Sequence, residues 1–170
     1  MELRLNAATI RDWRPEDAPA TARHANNRAV WRNLRDLFPH PYTVEHAEEW
    51  IRTATAQRPV THFAIDVDGE AAGGIGLRLG EDVHRKSAEI GFWLGEPFWG
   101  RGIASEVVIA ITEHGFREFE LCRIWAAVFA WNPASTRVLE KAGYRLEGRL
   151  AKAVVKDGQT IDQLLYAAAR

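Results

Sequence analysis

Apolar positions in this chain follow a helical spacing through the first third, a strand spacing in the middle, and the two in alternation thereafter. Residues 9–13 predict a short strand. Arg14-Pro15-Glu16-Asp17 then sets a proline and two acids where the first turn of a helix takes them. That helix is expected to reach about Asn26. A second, from Arg28 to Leu37, must stop before Phe38-Pro39-His40-Pro41, because proline offers no N–H and clashes with the preceding turn. Thr43 caps a third helix with Glu45 in its first turn, ending near Gln57-Arg58-Pro59. From Val60 the period becomes two. Phe63, Ile65 and Val67 share one face, and His62, Ala64 and Asp66 the other. Asp68-Gly69 marks a hairpin, and the returning strand sets Ile75, Leu77 and Leu79 opposite Gly74, Gly76 and Arg78. After a polar loop, residues 87–94 alternate again, with Glu89, Gly91 and Trp93 on one face and Ile90, Phe92 and Leu94 on the other. A carboxylate therefore sits inside a strand. Ala104, Val107, Val108, Ile111 and Phe119 recur at helical spacing over residues 102–119. Residues 123–130 read as a strand, 132–142 as a helix closed by Gly143, and two last strands flank Lys156-Asp157-Gly158. The order β, helices, β-β-β, α, β, α, β-β predicts one α/β domain over residues 1–170, without repeats or linkers.

Composition narrows the classes. With 170 residues, 46% hydrophobic and 26% charged, the chain can bury a substantial core, which excludes disordered and collagen-like readings. A net charge of −1 gives no overall positive field to gather nucleic acid or anionic lipid, so neither is expected as a partner. The single cysteine, Cys122, excludes a disulfide framework and a Cys-rich zinc site. His24, His46, His62, His84 and His114 lack metal-ligand spacing, and no metal is expected. No run of 18 apolar residues occurs and the first residues do not resemble a leader, so a cytoplasmic location is expected.

The chemistry concentrates at Trp93-Leu94-Gly95-Glu96-Pro97-Phe98-Trp99-Gly100-Arg101-Gly102-Ile103-Ala104, a strand passing through a glycine-rich turn into the longest helix. Such a junction attracts anions: glycines admit close backbone approach, the first helical N–H groups lack partners, and the helix dipole is positive there. Two phosphate motifs fail at this point. A Walker loop requires Gly-Lys-Ser/Thr, whereas Ile103 follows Gly102, and a dinucleotide fingerprint needs a third glycine where Ser105 stands. The strands before the helix also read as antiparallel, against a dinucleotide sheet.

Thirty residues on lies Trp131-Asn132-Pro133-Ala134-Ser135-Thr136-Arg137-Val138-Leu139-Glu140-Lys141-Ala142-Gly143-Tyr144. With Ala88-Glu89-Ile90-Gly91-Phe92-Trp93-Leu94 and Trp99-Gly100-Arg101-Gly102-Ile103-Ala104, this resembles the GNAT superfamily of acetyl-CoA-dependent N-acetyltransferases, in its RimJ/RimL-like branch. The resemblance covers nearly the whole chain, including Pro41-Tyr42-Thr43 and the closing Lys156-Asp157-Gly158 hairpin. It implies a single-domain GNAT fold, a mixed, mostly antiparallel sheet of six to seven strands flanked by helices, with splayed central strands. The family's Q/R-x-x-G-x-G/A diphosphate loop falls on Pro97, Gly100 and Gly102, so the first side-chain contact is lost at Pro97. Main-chain donors of Gly100, Arg101, Gly102, Ile103 and Ala104 remain, with Arg101 adding charge. The resemblance further implies that Phe92, Trp93 and Leu94 pair with the pantetheine amides of acetyl-CoA, in the slot left where their strand splays from residues 123–130. Asn132 matches the pantetheine-contacting asparagine, and is equally a preferred helix cap; its donor and acceptor ends make both roles compatible.

The implied reaction is acetyl transfer to a primary amine, a protein N-terminal α-amine or a small-molecule amine, by direct attack in a ternary complex. A Lys-type ammonium has a pKa near 10.4 and an α-amine about 7.7 to 8.0, so a base is needed. Glu89 is the expected base, and reads otherwise as a solvated residue on the polar face of its strand. Leu139 stands where some members carry an acidic tyrosine. Ser135 matches the serine suggested for protonating the leaving thiolate, and is otherwise a polar residue near a cap. By analogy the acceptor pocket brings in Phe38, His40, Tyr42, Arg145 and Tyr166, most of which also read as packing residues. The alternative function is a catalytically idle CoA-binding module on the same scaffold, and a nucleotide-dependent oxidoreductase is a third reading. Seven tryptophans keep a homodimer open.

Overall fold

The computed structural model describes residues 1–170 and gives the predicted order of elements with one strand more. Strands β1 (Glu2–Arg4) and β2 (Thr9–Arg11) lead to a 3-10 turn at Pro15–Asp17 and helices α1 (Ala18–Ala25), α2 (Arg28–Trp31) and α3 (Val44–Ala56). Strands β3 (His62–Val67), β4 (Glu70–Leu79) and β5 (Ser87–Leu94) follow, then α4 (Ile103–Glu118), β6 (Arg123–Phe129), α5 (Pro133–Lys141), β7 (Arg145–Lys156) and β8 (Gln159–Ala169). They form an 8-stranded mixed sheet in the order β1-β2-β3-β4-β5-β6-β8-β7. The eighth strand is β1, which pairs antiparallel with β2 from Glu2↔Arg11 to Arg4↔Thr9. Two compact units divide the chain: Met1–Gly76 with Phe92–Val107, and Leu77–Gly91 with Val108–Arg170. No helix is long and apolar enough to cross a membrane.

In the first unit α1 and α3 present alanines to a shared core. Ala18, Ala22, Ala25, Ala47 and Ala54 are buried with Trp13, Tyr42 and Ile51. Small side chains let two helices pack closely without voids. Thr43 caps α3: its Oγ1 accepts from the His46 N–H at 3.3 Å, while its own N–H donates to His46 Nδ1 at 3.1 Å. Arg11 is buried and fully paired, donating from Nη1 and Nη2 to Asp17 at 2.8 Å each and from Nε to Asp66 at 2.7 Å. Those bonds fix β2 to β3 and to the turn before α1, and satisfy a charge that would otherwise be costly to bury.

The second expected helix corrects to α2, which ends at Trp31 rather than Leu37. Asn33 explains the stop. Its side-chain amide donates to Ala29 O at 3.1 Å, the acceptor an α-helical Asn33 N–H would take, and that N–H turns to Val30 O instead. Leu37 is 93% exposed, so continued helix would bury nothing there.

In the second unit β6 alternates buried Ile124, Ala126 and Val128 with half-buried Arg123, Trp125 and Ala127, and runs antiparallel to β8 from Arg123↔Ala169 to Phe129↔Gln163. Val108 and Ile111 of α4 are fully buried. Thr112 of the same helix donates to Val108 O at 2.7 Å and shares a 2.8 Å bond with the buried Tyr144 hydroxyl just past α5. Strand β5 runs parallel to β6, so β5-α4-β6 is a parallel crossover unit, although β3 and β4 before it are antiparallel as expected.

Candidate active site

The turn between β5 and α4 is built tightly at its near end. A 3-10 turn at Glu96–Phe98 closes through Phe98 N–H to Gly95 O at 3.0 Å and Trp99 N–H to Glu96 O at 3.1 Å, and the Trp99 indole donates to Leu94 O at 2.7 Å. Beyond it Gly100 and Gly102 adopt φ of +75° and +81°, and a Cβ at either would meet open space. Left-handed backbone there is what glycine permits at no steric cost. At the start of α4 the N–H groups of Ser105 and Glu106 both return to Gly102 O, at 3.1 and 3.2 Å, whereas those of Gly100, Arg101, Gly102, Ile103 and Ala104 find no acceptor within the protein. Gly102 precedes the helix and has no side chain with which to cap it. Unsatisfied N–H groups beside the positive end of a 16-residue helix suit a diphosphate, so the residues fit the group the resemblance implies. Glu106, an acid in that first turn, is turned to Asn6 Nδ2 and the Ala7 N–H, both at 3.2 Å.

Strand β5 is registered against β6 at Ser87↔Arg123, Ala88↔Ile124 and Glu89↔Trp125, and Phe92, Trp93 and Leu94 continue past the last registered pair. Glu89 lies at that last pair. Its side chain is 11% exposed, and its Oε2 accepts from Nη2 of Arg78 on β4.

At the head of α5 both ends of the Asn132 side chain are engaged. Oδ1 accepts from the Ser135 N–H at 3.2 Å and Nδ2 donates to Ser135 Oγ at 2.8 Å. The serine hydroxyl thus accepts from Asn132 and keeps its own proton to donate. Leu139, in the position of the family's tyrosine, is fully buried and belongs to the core.

The residues expected around the acceptor separate into two groups. Phe38 packs on Tyr42 at 4.8 Å and on Trp93 at 5.5 Å between ring centroids. Burial pushes the Tyr42 hydroxyl up to about 12. His40 is exposed and lies against Trp31 at 5.5 Å rather than in that cluster. In the other unit Tyr166 is buried and donates to Glu140 Oε1 at 3.0 Å; burial and that carboxylate both raise its pKa. Arg145 is exposed at the start of β7, one register step from Tyr166. Sequence reasoning missed the Arg78 contact, for which the only signal was the shared polar face of two neighbouring strands, and it missed the brace beneath the loop described below.

A mixed sheet with a parallel ladder, and an amide-lined loop heading the helix that joins the two parallel strands, define a mixed α/β protein with an anion-binding helix terminus. Residues 8–145 match the family described as Acetyltransferase (GNAT) domain, and the chain belongs to that family. It is 26% identical over 164 residues to the SPbeta prophage-derived uncharacterized N-acetyltransferase YokL of Bacillus subtilis, covering 95% of this chain and 89% of that one. It is 35% identical over 105 residues to the Escherichia coli ribosomal-protein-serine acetyltransferase, covering 62% of this chain and 58% of the relative. Among solved structures, Mycobacterium smegmatis RimJ in complex with CoA-disulfide superposes with a TM-score of 0.86 at 27% identity, over 99% of this chain and 86% of that one. The protein is therefore an acetyltransferase of the GNAT family.

Proposed function

We propose that the protein transfers an acetyl group from acetyl-CoA to a primary amine, either a protein N-terminal α-amine or a small-molecule amine, by direct attack in a ternary complex. The observation that carries this reading is the run of five N–H groups, from Gly100 to Ala104, without an acceptor in the protein. Their donors meet the diphosphate, and Arg101 adds a positive charge. Phe92, Trp93 and Leu94 offer main-chain groups for the pantetheine amides, and their N–H donors stabilise charge developing on the thioester oxygen. Acetyl-CoA supplies the acetyl group as an activated thioester.

Glu89 takes the proton that the attacking ammonium must lose, directly or through one water. The amine nitrogen bonds to the acetyl carbon, the carbon–sulfur bond breaks, and Ser135 passes its hydroxyl proton to the departing thiolate while its oxygen takes up the proton that the nitrogen sheds on becoming an amide. Asn132 holds that hydroxyl in its donating orientation. A thiol has a reference pKa near 8.5, so this last transfer assists rather than controls the rate. Phe38, His40, Tyr42, Arg145 and Tyr166 are proposed to border the acceptor. Similarity to a ribosomal-protein-serine acetyltransferase supports a protein as one acceptor class.

A second reading, an idle CoA-binding module, is favoured by one observation: the carboxylate expected to act as base is already engaged by Arg78. The variant Glu89→Gln separates the two. An enzyme loses about 100-fold or more in kcat, most severely at low pH where free amine is scarcest, with CoA affinity unchanged. Mass spectrometry of acetyl-CoA incubated with N-terminally varied peptides and small amines reads the result. No acetylated product from the wild-type protein, with CoA still bound, establishes the idle module instead.

A further inference from the structure

The loop at the head of α4 rests on side chains with no part in the reaction. His24, near the end of α1, is 9% exposed, and its ring stands edge-on to Phe98 with centroids 5.1 Å apart. A Cβ placed on Gly95 would lie 3.0 Å from Cβ, Cγ and Nδ1 of His24, so the Gly95 backbone lies directly on that side chain. The other edge of the imidazole is fixed: Nε2 meets Glu70 Oε1, which also pairs with Arg23 Nη2 at 2.6 Å. Both partners hold the Glu70 carboxyl below its usual range and keep it charged. Phe98 in turn lies under the Arg101 guanidinium, 5.7 Å from its ring centroid. Three residues on from His24, Asn27 Nδ2 donates to Glu96 Oε2 at 2.6 Å.

Gly100 and Gly102 carry no side chains that could orient their own N–H groups, and glycine is the residue with most conformational freedom to lose on ordering. The direction of the loop must therefore be imposed from its anchored end, Gly95 to Phe98. We propose that His24 is a positioning residue for the diphosphate of the acyl donor, acting through Gly95 and Phe98 to aim the loop's N–H groups and place Arg101 over the ring. This rests on the acetyl-CoA reading above. Its specific consequence is selectivity for the part of the donor that carries phosphate: loss of His24 weakens what the diphosphate contributes and leaves the pantetheine arm alone.

The experiment compares the wild-type protein with His24→Ala and Phe98→Leu. Calorimetry gives the Kd for CoA, and steady-state rates give kcat/KM with acetyl-CoA and with S-acetylpantetheine, which lacks the diphosphate. In either variant the Kd for CoA rises about tenfold, the scale of one weakened hydrogen bond to a charged group. The acetyl-CoA kcat/KM falls in parallel through KM, while the S-acetylpantetheine value stays at its wild-type level. A merely structural role would lower both donors together, along with Tm, and overturns the proposal, as do unchanged Kd values in both variants. If CoA produces no heat with the wild-type protein, the acetyl-CoA reading fails and this inference falls with it; uptake by the wild type with equal uptake by the variants removes the inference alone.

Discussion

The heads of α4 and α5 are both helix N-termini reached from a strand, and they use their exposed donors in opposite ways. At α5 the Asn132 side chain takes up the Ser135 N–H and orients the serine hydroxyl, so the helix satisfies part of its own terminus. At α4 the residue in the corresponding place is Gly102, with no side chain, and the donors from Gly100 to Ala104 stay unused by the protein. A capped helix end supplies a side chain for chemistry. An uncapped one supplies main-chain charge for binding. In the proposed mechanism the same backbone physics serves catalysis at one terminus and donor capture at the other.

Substitution at Gly102 breaks this contrast most severely. Gly102→Asp places a carboxylate among the donors meant for the diphosphate and forces a side chain onto φ of +81°, which costs roughly 1–2 kcal/mol by itself. The Kd for CoA, read by calorimetry, should rise by more than about 100-fold. An unchanged Kd would mean that this loop does not hold the donor.

At the other helix the expected effects are smaller and divide between stability and rate. Asn132→Ala removes a cap and should cost about 1 kcal/mol in chemical denaturation, while Ser135→Ala should lower kcat about tenfold with little change in stability. The double variant should lose no more rate than Ser135→Ala alone, because Asn132 acts on the thiolate only through that hydroxyl. Additive losses in kcat would show that Asn132 acts on the departing thiolate independently of that hydroxyl.

The smallest effect tests the link between the body of α4 and the segment just past α5. Tyr144→Phe deletes the bond to Thr112 and should cost about 1 kcal/mol with KM for acetyl-CoA unchanged. The Tyr144 hydroxyl is pushed up to about 12 by burial, against about 10 in an unfolded chain. The folded state then keeps its proton where the unfolded state releases it, so this contribution is complete below pH 10 and is lost as pH rises from about 10 through 12. Tyr42, also pushed up to about 12, adds to the same slope. Denaturation midpoints across that window should fall less steeply in Tyr144→Phe than in the wild type.

Most of the fold was legible because its signals are local. Period-two runs gave β3 and β5, the Asp68-Gly69 and Asp157-Gly158 turns take the left-handed backbone that such hairpins require, and the Thr43 and Asn132 caps fall where their side chains demanded. Strand β1 escaped notice because three residues are too few to establish a period, and its partner was fixed only by pairing. The excess length assigned to α2 came from letting the prolines after Phe38 set its end, when the Asn33 side chain already competes for the Ala29 carbonyl. At the site, the family resemblance pointed to Glu89, Gly102 and Ser135, while their partners depended on distant segments. Arg78 meets Glu89 through neighbouring strands, and His24 meets Gly95 across 71 residues of sequence; neither has a periodicity to reveal it.

The central claim is that main-chain donors at the start of α4 hold the diphosphate of the acyl donor. Backbone amide NMR during a CoA titration tests it residue by residue. The account predicts that the largest shifts fall on the amides of Gly100, Arg101, Gly102, Ile103 and Ala104, saturating with the calorimetric Kd. Saturable binding that leaves those five amides unmoved and shifts resonances elsewhere would contradict it.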